Sequence, residues 1–219
     1  MKNLLYYLVL FISTTCFSQR VRGFGGLGGY MNRQFDKSVF ASFDVGLECK
    51  ATKYLKPEIE FQYFLGAVPD RTTENTSGVT TELLVQRVYA TNLGLTPKIS
   101  FGLEGEHVHF QLMPKYNFTR VVATGSLFTP NNTNTEFIKT DSDTFSETRH
   151  SLGVGIGVLF DLTDDTFQSI ALNLYYNNID IGNAVTKLKF ANGTYHTQQS
   201  LGFGVQYYFG FAKKNKKKK

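Results

Sequence analysis

Tryptophan is absent from this chain of 219 residues, and proline occurs only five times. Tyrosine and phenylalanine are abundant instead, with 12 and 20 residues, and glycine contributes 20. Few prolines and many aromatic residues are typical of β-strands. An aromatic belt at a membrane surface would have to consist of tyrosine and phenylalanine.

Cysteine is also scarce, with Cys16 and Cys49 alone. Residues 1–18 are expected to be a secretory signal peptide, in which Lys2 precedes the apolar run 4–12. Its cleavage would remove Cys16 and leave Cys49 without an intramolecular partner, so no disulfide is expected within the mature chain. Lipidation of Cys16 is the alternative, although the residues before it fit a lipoprotein cleavage box poorly.

Positive charge is confined to one end of the chain. The formal net charge is +5, and removing the six lysines of residues 213–219 leaves −1. A distributed basic surface, as nucleic-acid binding requires, is therefore not expected. The lysine-rich tail, residues 212–219, is interpreted as a solvated terminus, with an anchor to anionic headgroups as the alternative.

No segment after residue 18 has the roughly 20 consecutive apolar residues that a transmembrane helix needs. Apolar residues instead alternate with small or polar ones. This period of two predicts strands that lie between two different environments. In the last segment, the residues on the apolar face are Leu201, Phe203, Val205, Tyr207, Phe209 and Phe211.

Eight such segments follow one another along the chain. Eight is an even number, so an antiparallel ring can close without an edge. Short connections alternate with long polar ones, as in barrels of bacterial outer membranes. The sequence predicts an all-β fold, an eight-stranded antiparallel up-and-down transmembrane β-barrel over residues 19–211. The predicted strands are 21–31, 39–49, 54–65, 88–101, 108–119, 151–162, 169–179 and 200–211.

A soluble ligand-binding barrel would show the same alternation with its faces reversed. Glycines such as Gly153, Gly155 and Gly157 lie on the polar face, where the narrow lumen of an eight-stranded barrel gives them a steric reason. The apolar face is nearly free of charge, and a lipid-facing Arg or Lys costs about 2–4 kcal/mol at the midplane. The apolar face is therefore expected to contact lipid. A polar network in the lumen is predicted for Asp44, Glu48, Glu58, Glu60, Lys98 and Lys115.

Three prolines, Pro57, Pro97 and Pro114, fall in phase with the apolar face. Proline removes a hydrogen bond from the strand ladder, so each is expected at a strand start, a rim or a bulge.

The last strand ends on Phe209-Gly210-Phe211. It resembles the C-terminal signal that the outer-membrane barrel assembly machinery recognises, which would consist of Phe203, Val205, Tyr207, Phe209 and Phe211. With Pro-x-x-x-Phe segments such as 57–61, the layout of residues 20–211 resembles the outer membrane protein beta-barrel domain family, akin to small OmpA- and OmpX-like barrels. The resemblance implies a bacterial outer-membrane location, with outer-membrane lipid and the assembly machinery as partners. The lysine tail departs from the pattern.

The lumen of an eight-stranded barrel is just wide enough for side chains to fill it, so general porin activity is not expected. The sequence favours a non-enzymatic barrel that presents the long loops 66–87 and 120–148 to an unknown extracellular partner or stabilises the membrane. The alternatives are a narrow porin-like channel, an accessory component of a secretion machine, and a lipid-modifying barrel enzyme.

No catalytic site and no cofactor are predicted. His150 and Ser151 are adjacent on a strand and face opposite sides. His196 and Ser200 share a face but would lie about 13 Å apart at the rise of a strand.

A metal site is the less favoured interpretation of His107 and His109. These histidines share a face near Glu104 and Glu106, but a solvated turn explains them without a metal.

Overall fold

A computed structural model of the chain describes residues 21–32, 39–67, 70–102, 107–131, 136–163, 168–191 and 199–210. The predicted signal peptide, the lysine-rich tail and Phe211 lie outside these residues. A short helix, α1 (Gly182–Thr186), lies between the last two strands. The strands are β1 (Val21–Asn32), β2 (Val39–Cys49), β3 (Leu55–Ala67), β4 (Arg71–Glu74), β5 (Thr80–Phe101), β6 (Val108–Pro130), β7 (Phe137–Asp161), β8 (Ser169–Asn177) and β9 (Ser200–Gly210).

The strands form a closed antiparallel ring. Neighbours pair in the order β3, β2, β1, β9, β8, β7, β6 and β5, and β5 pairs in turn with β3. The short β4 stands outside the ring and pairs with the beginning of β5. Closure satisfies the backbone without an edge in hydrocarbon, where each unpaired group costs several kcal/mol. The predicted eight-stranded up-and-down barrel is confirmed.

The apolar side of the strands faces outward. On β9, Leu201 is 67% exposed and Phe203 is 51% exposed, whereas Gln206 and Tyr208 are buried. An exterior of this kind is suited to acyl chains and not to water. The barrel is therefore transmembrane, with its small and polar residues turned inward, as predicted.

We call these outward apolar side chains the apolar belt. On β6 the belt runs from Val108 to Phe118. This run measures about 33 Å at ~3.3 Å per residue, or about 25 Å in height at a tilt of ~40°. Among the described residues, no helix has the length and apolar character to cross a bilayer.

The prediction of long loops at 66–87 and 120–148 is wrong over much of their length. β5 begins at Thr80, and β6 continues to Pro130, where it pairs with Phe137 at the start of β7. These strands leave the membrane and meet water or polar neighbours, so their sequence lacks a continuous apolar face. Together with β4 they form what we call the projecting sheet, residues 71–74, 80–87, 120–130 and 137–149.

The chain turns inward after β8. The predicted strand 169–179 ends at Asn177, and the following residues enter the long-loop end of the lumen. We call residues 179–191 the cap. Its buried apolar side chains are Ile179, Ile181, Ala184, Val185 and Leu188, and they pack against Tyr30, Phe40, Phe64, Val88, Met113, Val121 and Tyr175.

Inward-facing glycines make room for aromatic rings on the neighbouring strand. A Cβ atom at Gly46 would lie 2.5 Å from the Phe24 ring, and one at Gly155 would lie 2.8 Å from the Tyr175 ring. The pairs of this kind that are also direct cross-strand partners are Tyr30 with Gly202, Phe40 with Gly66, Phe24 with Gly46, and Tyr175 with Gly155.

Pro57 lies near the start of β3, as expected, but Pro97 and Pro114 lie inside their strands, where the expectation was wrong. Pro57 is the direct partner of Pro97. The pairing of β5 with β6 is interrupted around Pro97 and Pro114 and then resumes in the same register. Pro97 of β5 and Pro114 of β6 face each other in this register, so their missing N–H groups fall at a single gap in the β5–β6 ladder.

A substitution tests this glycine packing. Gly202→Ala places a methyl group 2.3 Å from a carbon of the Tyr30 ring, so we expect it to lower the free energy of unfolding by about 1–3 kcal/mol. The measurement is the urea midpoint of the barrel folded in detergent micelles. Gly29→Ala on the neighbouring strand is the control, since no atom lies within 4 Å of its Cβ position. Equal losses from both variants would contradict the account.

Candidate functional site: the lumen and the projecting sheet

An ion-pair network fills the lumen at the short-turn end. The Nε atom of Arg22 donates to Oε1 of Glu48 at 2.5 Å, and Lys98 pairs with both Glu48 and Glu58. All four side chains are buried. Glu48 and Glu58 are direct cross-strand partners, where like charges repel each other. Lys98 compensates this repulsion.

Tyr208 lies at the centre of this network. Its ring centroid is 4.5 Å from the Arg22 guanidinium and 4.4 Å from the Lys98 ammonium, within the range of cation–π attraction. Its hydroxyl accepts from Lys98 at 3.2 Å and donates to Glu58 at 2.9 Å. The tyrosine therefore holds both cations in position.

A second charged group lies on the neighbouring part of the wall. Lys115 pairs with Glu60 and donates to Oε1 of Gln62 at 2.8 Å. Gln62 in turn donates to Asp44 at 2.9 Å. The pair crosses Gly94, where a Cβ atom would lie 2.7 Å from Oε1 of Glu60. Glycine at this position leaves the space that the ion pair occupies.

The structure places all the predicted network residues inside the lumen and divides them into two groups. Glu48, Glu58 and Lys98 belong to the first, and Asp44, Glu60 and Lys115 belong to the second. Sequence reasoning missed Arg22, Gln62 and Tyr208 as network members. Arg22 lies in a glycine-rich strand two positions before the inward-facing Phe24. This spacing places both side chains on the same face, and it was the one sequence feature that could have predicted Arg22 in the lumen.

Amide side chains connect the charged groups to the long-loop end of the lumen. Asn92 donates to Gln62 at 3.0 Å and to Asn117 at 2.9 Å, and Thr119 donates to Asn92 at 2.8 Å. Above them lie the aromatic and aliphatic side chains that pack against the cap. From the short-turn end to the long-loop end, the lumen is therefore filled first by charged, then by amide and then by apolar side chains.

A serine, an aspartate and a histidine meet at the short-turn rim, but not in the order that catalysis needs. Ser169 donates to Asp161 at 2.6 Å and accepts from Arg22 at 2.7 Å. His109 lies 3.1 Å from the other oxygen of Asp161. A nucleophilic serine requires the histidine as its direct base. Here the aspartate stands between them, so the arrangement is structural.

The structure also shows where several other residues considered for catalysis or metal binding lie. His150 lies on the outer wall, where its Nδ1 is 2.6 Å from the Tyr116 hydroxyl, whereas the Ser151 hydroxyl is buried on the inward side. No group of three or more His, Cys, Asp or Glu side chains within the described part of the chain could hold a metal ion. His196, Glu104 and Glu106 lie outside that part.

Polar contacts hold the cap against the inner side of the projecting sheet. Arg149 pairs with Glu147 at 2.9 Å and with Asp180 at 3.4 Å. Lys189 donates to Asp141 at 2.6 Å. This hydrogen bond lowers the pKa of Asp141 and raises the pKa of Lys189. Both groups are exposed, so the contact positions the cap more than it stabilises it.

One edge of the projecting sheet is open. β7 pairs with β8 only from Gly153 onward. Among the described residues, no strand pairs with the corresponding side of β7 between 137 and 152. Between residues 142 and 150 the exposed side chains are Ser142, Thr144, Ser146, Thr148 and His150, and the two ends of the stretch also expose Phe137, Ile138, Lys139, Thr140 and Leu152.

No protein-family model matches the sequence, and no curated protein sequence matches it significantly. Solved structures that resemble the chain include Neisserial surface protein A (11% identity, TM-score 0.48, 88% of this chain and 97% of that one). Others are Ail, the attachment invasion locus protein of Yersinia pestis (12%, 0.41, 87% and 97%), and a major outer membrane protein from Thermus thermophilus (14%, 0.46, 86% and 99%).

Likeness at these identities concerns the fold alone. The strand pairing of this chain itself establishes the ring of eight. This strand pairing confirms the eight-stranded architecture that the resemblance to small OmpA- and OmpX-like barrels implies.

Removal of Lys98 tests the ion-pair network. Lys98→Met leaves the buried Glu58 without its cation, so we expect the free energy of unfolding to fall by about 3–5 kcal/mol. Lys98→Met combined with Glu58→Gln is expected to recover most of this loss, because Glu48 keeps Arg22. Urea midpoints in detergent micelles measure both effects. If the double variant were no more stable than the single one, the assigned pairing would be wrong.

Proposed function

We propose that this chain is a non-enzymatic barrel of the bacterial outer membrane that binds an extracellular partner through its projecting sheet. The observation that carries the proposal is the open edge of β7, residues 137–152, on a sheet that extends beyond the apolar belt. A barrel that only stabilised the membrane would not need strands of this length.

The chemistry of the open edge favours an extended polypeptide as the partner. Unpaired N–H and C=O groups of an edge strand pair readily with another strand, and proteins usually protect such edges with charge or proline. The outward side chains in the middle of this edge, Ser142, Thr144 and Ser146, are small and uncharged. Charged side chains of the same stretch, such as Asp141 and Arg149, pair on the inner side with Lys189 and Asp180 of the cap. Addition of a strand to this edge is an established mode of peptide recognition.

The filled lumen argues against transport as the main activity. Lys98 and Lys115 with their carboxylate partners occupy it from one end, and the cap packs into the other. The order of Ser169, Asp161 and His109 argues against hydrolysis at the rim.

An outer-membrane location is supported by the outward row of β9. Phe203, Val205, Tyr207 and Phe209 are all exposed on the outer wall, where the assembly machinery would read them during insertion. Cleavage of residues 1–18 would precede this step.

Epitope insertion tests whether the projecting sheet is displayed outside the cell. A tag inserted between Asn131 and Glu136 is expected to bind antibody on intact cells, because the flanking residues Pro130 and Phe137 pair at the far end of the projecting sheet. A tag inserted after Thr52, in a short turn, is expected to bind antibody only after lysis. Heat-modifiable migration on gels verifies that both variants fold. Labelling of the Thr52 tag alone on intact cells would reverse the proposed orientation.

Planar bilayer recording tests the filled lumen. The purified barrel is expected to insert without discrete conductance steps, because ion pairs occupy one end of the lumen and the cap packs into the other. A general porin in the same bilayers serves as the positive control. Reproducible single-channel steps from the wild-type protein would favour a channel over the proposed display function.

A further inference from the structure

Arg120 lies on the outer wall of the barrel, immediately above the apolar belt. It occupies the outward row of β6, two positions beyond Phe118, and its side chain is exposed. Within the part of the chain that the structure describes, it has no carboxylate partner. A guanidinium group is well suited to bind phosphate, because its planar donors match the phosphate oxygens.

Hydroxyl groups flank Arg120 on both sides. Thr91 of β5 and Thr148 of β7 are its direct cross-strand partners, and such partners have Cβ atoms about 5 Å apart. None of the surrounding outward positions bears a carboxylate that would compete for the guanidinium. These positions are Leu93, Tyr89, Phe118, Val122, Ser146 and His150.

His150 adds a further donor beside Arg120. It is the cross-strand partner of Phe118, and its ring centroid lies 4.9 Å from that of Phe118. The Tyr116 hydroxyl lies 2.6 Å from Nδ1. When this hydroxyl donates to Nδ1, the neutral ring carries its proton on Nε2, which is then available to an anion.

We propose that Arg120, Thr91, Thr148 and His150 form a site on the barrel wall for the phosphate headgroup of an anionic lipid. The acyl chain of this lipid lies along Phe118 and the belt below it. The inference rests on the proposed membrane location but not on the extracellular partner.

The position of the site selects a lipid over a free phosphate ion. Arg120 and Phe118 lie two positions apart, or about 7 Å along the strand. Charged and apolar surfaces therefore meet within the length of a headgroup and its first methylene groups. A free phosphate ion would use only the upper part of this surface.

A titration in micelles tests the site. Wild-type barrel in dodecyl maltoside is titrated with dodecyl phosphate, and binding is followed by calorimetry. Arg120→Gln is expected to weaken binding at least tenfold, and Thr148→Val is expected to weaken it several-fold. Lys139→Gln, which removes an exposed cation near the tip of the projecting sheet, is expected to leave the affinity unchanged. Inorganic phosphate is expected to bind at least tenfold more weakly than dodecyl phosphate.

Three results would contradict the proposed site. The first is wild-type affinity for dodecyl phosphate in Arg120→Gln, and the second is an equal loss of affinity in Arg120→Gln and Lys139→Gln. The third is equal affinity of the wild-type barrel for inorganic phosphate and dodecyl phosphate. Heat-modifiable migration verifies that each variant is folded before titration. The epitope labelling of intact cells is measured separately, so a failed lipid site remains distinguishable from a failed display function.

Discussion

The structure depends on the closure of eight strands into a ring. In hydrocarbon each unpaired backbone N–H or C=O group costs several kcal/mol, so the chain can cross a bilayer only when every membrane strand has two neighbours. The pairing of β5 with β3 completes this condition. Above the apolar belt the constraint disappears, because water satisfies an unpaired edge. β7 is accordingly paired on both sides from Gly153 onward, and before Gly153 it has a strand partner on one side only among the residues that the structure describes.

Closure of a ring this small creates a second demand, since its interior must be filled by side chains. This chain fills it with three kinds of contact. Ion pairs around Tyr208 occupy the short-turn end, amides such as Asn92 lie above them, and aromatic rings and the cap occupy the other end. Glycines on the inner face provide the space, as Gly94 does for the pair of Glu60 with Lys115. Side chains therefore fill the interior, and the proposed recognition surfaces lie outside it.

The period of two was sufficient to predict the ring and its inward face, because lipid on one side and a crowded lumen on the other impose opposite requirements on successive residues. It failed above the belt, where residues such as Thr124 and Thr144 pair directly but both faces of the strand are polar or mixed. It failed again at the cap, where Ile181 and Leu188 were expected in a long connection between strands but pack into the lumen. Individual ion pairs depend on register and rotamer, so the sequence predicted polar residues in the lumen but not which of them would meet.

The central claim is that the apolar faces touch acyl chains and the glycine-lined faces turn inward. Because the chain contains no tryptophan, one introduced indole reports its own surroundings. In bilayers with brominated acyl chains, fluorescence from Phe203→Trp is expected to be strongly quenched, and fluorescence from Phe24→Trp is expected to be nearly unaffected. Strong quenching at position 24 with none at position 203 would contradict the account.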